Sequence, residues 1–138
     1  MKHAVLALAL LLSAPAWAAA VKTHFMDHSN VLLIDAATAK AVMAEAIPDK
    51  VWKIYPASKY VFLSQVEGGM NASKTCVIAA RVIVLPLTAT AKAVLFRPQE
   101  TATAFDAKAN SSTDECKALA KEKLKEATIA VVSAIVKS

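Results

Sequence analysis

Two hydrophobic periods divide this chain. Apolar residues recur every three to four positions over residues 36–47 and 113–136, whereas runs and alternations of β-formers fill residues 60–106. Residues 31–34 are continuously apolar and β-leaning. Asp35 is a ready N-cap, residues 36–47 are strong helix formers, and Pro48 stops them. Ala39, Val42, Met43 and Ala46 make one apolar stripe on that helix. Residues 51–55 read as a short strand or an extended connection before Pro56.

The middle of the chain predicts antiparallel sheet. Residues 60–67 lead to a turn at Gly68, Gly69, Met70 and Asn71, where positive φ costs glycine little. Residues 75–85 return as a Val- and Ile-rich strand covered on both faces or nearly so, with Arg81 needing an outlet or an acidic partner. Thr and Ala alternate over residues 88–96 and again over 101–106, which predicts a second hairpin. Its Ala side is shallow enough for a helix to approach, and its Thr side suits water.

Ser112, Thr113, Asp114 and Glu115 match a capping box, and a helix follows over residues 113–136. Cys116, Leu119, Ala120, Leu124, Ala127, Val131 and Ala134 form its apolar side, while Lys117, Lys121 and Lys125 line another. Residues 129–136 are apolar nearly all round, so this segment is either buried on several sides or exposed for a partner. The expected fold is α+β: an antiparallel sheet of about four to five strands, with an N-terminal short helix and a long C-terminal helix packed on one face.

The first twenty residues stand apart from this pattern. Lys2 and His3 precede an apolar run over residues 4–12, a break at Ser13 and Pro15, and small residues suited to cleavage after Ala18 or Ala20, the latter favoured. The run is too short to span a bilayer, so residues 1–20 read as a cleavable signal peptide and residues 21–138 as one domain. No integral membrane segment is expected after cleavage. The formal charge of +5 falls to +4 without Lys2. Such mild, dispersed basicity suits weak contact with anionic lipid, peptidoglycan or an acidic partner, and argues against nucleic acid.

Export places the two cysteines in an oxidising compartment. Cys76 opens the central strand and Cys116 lies in the first turn of the last helix, so a disulfide would staple sheet to helix. His24 and His28 have a spacing that could hold zinc or copper on a helix, with Met26 and Asp27 between them. The stretch is not convincingly helical, however, and two ligands seldom make a tight site, so no metal is assigned. Asn71 and Asn110 each begin a glycosylation sequon that would matter only in a eukaryotic host. Nucleophile elbows, zinc-protease helices and phosphate loops have no counterpart here, so neither catalytic residues nor a cofactor is expected.

Trp52, Tyr55 and Tyr60, beside Lys50, Lys53 and Lys59, together with the turn at Gly68, Gly69, Met70 and Asn71, are the candidate interaction surface. These features point to a small, exported, non-enzymatic binding or protein-interaction module of the periplasm or cell exterior. In inhibitor- or neutraliser-like form it would recognise another protein. The alternatives are a carrier of a small apolar ligand or lipid held between the sheet and residues 129–136, and a weak metal-binding periplasmic protein.

Overall fold

The computed structural model describes residues 22–90 and 97–138. The expected export signal and residues 91–96 of the expected second hairpin lie outside the described residues. Within them the order is β1 (Phe25–Asp27), α1 (Ala36–Ala46), α2 (Asp49–Ile54), β2 (Tyr60–Met70), β3 (Cys76–Pro86), β4 (Glu100–Lys108) and α3 (Thr113–Lys137). The four strands form one sheet in the order β1-β2-β3-β4. β2, β3 and β4 are antiparallel neighbours, but β1 runs parallel to β2, with Phe25 opposite Phe62 and Asp27 opposite Ser64. The sheet is therefore mixed, because two helices fill the crossover between β1 and β2.

Three local expectations change. Residues 31–34, expected to be β-leaning, form a turn after β1 instead. Asn30 organises it: its Oδ1 accepts from Leu32 N (3.0 Å), and its carbonyl accepts from Leu33 N (2.9 Å) and Ile34 N (3.2 Å). Residues 51–55 fall largely in α2, a helix begun by Pro48 and Asp49. Val51 is buried, and Trp52 packs edge-on against Phe25 (5.5 Å) and Phe62 (5.0 Å), so tertiary packing selects the helix over the weak alternation. Gly68, Gly69 and Met70 are in β2 rather than in the turn, the glycines at φ +118° and +139°. The turn itself is held by Asn71, whose Oδ1 accepts from Ser73 N, Ser73 Oγ and Thr75 N at 2.9–3.0 Å.

The helices follow their caps closely. Asp35 Oδ1 accepts from Thr38 N (2.9 Å) at the start of α1, and Ser112 and Glu115 complete the capping box of α3. α3 lies across β3 and β4, while α1 covers β1 and packs beside α3. Ala102 and Ala104 face the helix layer and Thr101 and Thr103 face water, as the alternation along β4 requires. The apolar stripe of α3 drifts at its end: Ile135 is buried and Ala134 exposed. Lys123, unforeseen in the stripe, is mostly buried but meets Glu126, Glu122 and Asp106, and the Glu126 carboxylate holds its ammonium pKa above the usual lysine value.

Cys76 and Cys116 are disulfide-bonded, and both are buried. The bond ties the sheet to α3 and closes a sequence separation of 40 residues. Such a cross-link suits an oxidising compartment. No helix among the described residues is long and apolar enough to cross a membrane.

Candidate interaction surface

The sheet has a helix-covered face and an outer face. β3 was expected to be covered on both sides, but it alternates buried and exposed residues over its first half, because all three helices pack on one side. Strand register places the outer-face residues in rows. Gly69 lies opposite Val77, which lies opposite Ala107; Glu67, Ala79 and Phe105 form the next row, and Gln65, Arg81 and Thr103 the one after. Further along, Val61, Leu63 and Leu85 make a second buried apolar cluster with Met26, Ile83 and Leu87 packed on it.

Phe105 is 80% exposed, and with half-exposed Val77 and exposed Ala79 and Ala107 it makes an apolar patch in water. Beside it, Gln65, Glu67, Ala79, Arg81 and Thr103 line a shallow depression of about 210 Å³. Arg81 finds its outlet there, with Nε donating to Thr103 Oγ1 at 3.4 Å. Pockets for small-molecule ligands typically start near ~300 Å³ and bury most of the ligand, so this hollow fits one protruding side chain better than a cofactor. Neither Phe105 nor Arg81 was singled out as an interaction residue. Period-two alternation places both on one face, but the sequence does not show which face the helices leave open.

The sequence-derived surface is divided by the fold. Tyr60 and Met70 begin and end an eleven-residue strand, about 33 Å apart at strand spacing. At one end, Trp52 and Tyr60 are half-buried against the core, and Tyr55 meets Tyr60 edge-on at 4.8 Å. Burial first, then the charge of Glu100, raises the Tyr55 phenol above its usual pKa. At the other end stand Gly68, Met70 and Asn71, and Gly69 alone of this group belongs to the outer-face rows.

His24 and His28 flank the extended strand β1 rather than lying on a helix. His24 O accepts from Phe62 N, and His28 N donates to Ser64 O. Four residues of strand separate their backbones by about 13 Å. His24 Nδ1 lies 3.3 Å from Ala57 O instead. Among the described residues, no group of three or more His, Cys, Asp or Glu residues is placed to hold a metal ion.

The space proposed for an apolar ligand, between the sheet and residues 129–136, is filled by Val131 and Ile135 of the core. A hollow of about 390 Å³ lies instead on the outside of that segment, among Glu45, Pro48, Lys50, Val132, Val136 and Lys137. Residues 129–136 are thus core on one side and surface on the other.

No family model and no curated protein sequence matches the chain. Among solved structures, two of the PelC dodecamer from Paraburkholderia phytofirmans are similar. One, a point variant, is 11% identical, with 80% of this chain and 87% of that chain covered and a TM-score of 0.44. The other is 14% identical, with 86% and 94% covered and a TM-score of 0.42. A Caulobacter crescentus CB15 protein described as a lipoprotein is 11% identical, with 83% and 84% covered and a TM-score of 0.40. Similarity of this order places no activity on this chain.

Proposed function

We propose that this protein is an exported, non-enzymatic interaction module that recognises another protein through the outer face of its sheet. The observation carrying this reading is the Phe105 patch: an exposed aromatic ring beside Val77 and Ala79, next to a side-chain-sized hollow rimmed by Arg81, Glu67 and Gln65. Aromatic residues and arginine carry most of the energy of protein interfaces, and here they share one rigid sheet face. The disulfide and the N-terminal signal pattern support work outside the cytosol.

The test is photo-crosslinking in the native host, with a benzophenone side chain introduced at position 105 and, separately, at exposed Ile54 on the helix side. Discrete adducts from position 105, suppressed by Arg81→Glu and missing from position 54, support the reading. Identical adducts from both positions, or none from 105, would overturn it.

A further inference from the structure

We infer that the turn bearing Val31 and Leu32 is a docking tip for an anionic bilayer surface, separate from the sheet face. Val31 and Leu32 are adjacent and 73% and 75% exposed, although a tight turn ordinarily favours small polar residues there. The turn is not loose. Asn30 caps it from within, Asn30 N donates to Val66 O (2.8 Å), and the following Leu33 and Ile34 are buried in the core. Two apolar side chains are therefore held out in water by a backbone anchored on both sides. Neither core packing nor turn geometry calls for them.

Lysines stand beside this tip. Lys117 and Lys121, one helical turn apart on α3, line with Val31, Ala118, Thr38 and Asp35 a hollow of about 300 Å³. Among the described residues, neither lysine has a carboxylate within salt-bridge distance. The Asp35 carboxylate is engaged by Thr38 N (2.9 Å) and Thr38 Oγ1 (2.7 Å) at the start of α1.

The chemistry separates a bilayer from a protein partner. Lysine is depleted from protein interfaces, whose anchors are aromatic residues and arginine, and the tip has none of these. Aliphatic side chains beside flexible lysines suit a lipid interface, where the chains enter the acyl boundary and the ammonium groups reach phosphates. Two side chains and two lysines make a weak, reversible contact, no stronger than the ~10⁴ M⁻¹ of a single myristoyl chain.

The experiment is co-sedimentation of the disulfide-intact protein with vesicles of phosphatidylcholine containing phosphatidylglycerol, against vesicles of phosphatidylcholine alone. Binding to the anionic vesicles only, lost at about 0.5 M salt, is expected. Val31→Ser with Leu32→Ser should weaken it roughly ten-fold or more, and Lys117→Gln with Lys121→Gln about thirty-fold. Phe105→Ser should leave it unchanged. All five positions are exposed, so melting temperature reports that each variant is folded. Absence of binding to anionic vesicles, binding unaffected by either double variant, or loss with Phe105→Ser would overturn the inference.

Discussion

Cys76, the first residue of β3, is bonded to Cys116 in the first turn of α3, with Cα atoms 5.5 Å apart. The bond holds the start of α3 against the end of the sheet where β2 and β3 turn. With 40 residues of separation, the chain-entropy model assigns it about 4 kcal/mol. Replacing both cysteines with alanine should lower unfolding free energy by about 2–5 kcal/mol in urea titration. Reductant should reproduce that loss in the parent protein and leave the double variant unmoved.

The two glycines of β2 should differ sharply on substitution. A Cβ on Gly68 would sit 2.0 Å from the Val77 carbonyl oxygen, in addition to adopting φ +118°, whereas one on Gly69 meets nothing within 4 Å. Gly69→Ala carries backbone strain alone, about 1–3 kcal/mol. Gly68→Ala must also displace a ladder strand and should exceed that range, giving little folded protein or a much lower melting temperature.

Asp27 fastens the short edge strand β1. Its Oδ1 accepts from Ser64 Oγ (2.7 Å) and Ser29 Oγ (2.6 Å), and Ser29 Oγ in turn accepts from Val66 N (3.0 Å). Ser64 is fully buried, and without the carboxylate its hydroxyl keeps only a 3.4 Å contact with Met26 O. Asp27→Ala should therefore cost about 1–3 kcal/mol. Hydrogen exchange should rise at the Phe62 amide, which pairs with β1, before it rises in β3.

Acid should loosen the starts of two helices. Hydrogen bonds from Thr38 lower the Asp35 pKa below 3.8, and the Ser112 amide, with Lys108, lowers that of Glu115 below 4.5. A depressed folded-state pKa adds stability above the unfolded value, and this is lost as pH falls through the folded value. Stability should therefore drop below about pH 4. Asp35→Asn with Glu115→Gln should flatten that drop, as measured by urea midpoints from pH 2 to 7.

The two faces of the sheet predict opposite responses from two phenylalanines. Phe62 is fully buried beside Trp52, so Phe62→Ala should cost about 3–5 kcal/mol. Phe105→Ser, at a position 80% exposed, should shift stability by no more than about 0.5 kcal/mol, both changes being read from urea titration.

Elements governed by local chemistry were legible in the chain. Asp35 and Ser112 start α1 and α3, the strands expected at 60–67 and 75–85 pair as the longer β2 and shifted β3, and Cys76 meets Cys116. Elements governed by distant partners were not. Apolar residues 31–34 lose strand form because Asn30 captures their amides, and Trp52 sits on a helix because Phe25 and Phe62 receive it. The parallel pairing of β1 was hidden because its partner lies 37 residues later in register. Trp52, Tyr55 and Tyr60, near one another in sequence, pack against the core. The exposed ring, Phe105, sits in an otherwise small-residue strand.

The parallel pairing of β1 also has a kinetic consequence. β2, β3 and β4 are joined in sequence order and can zip as neighbours, whereas β1 must wait for the crossover helices to bring it back to β2. Until then β2 has an open edge. Three residues of strand and one carboxylate close it, so the chain is most open to exchanging a strand with another copy during that interval.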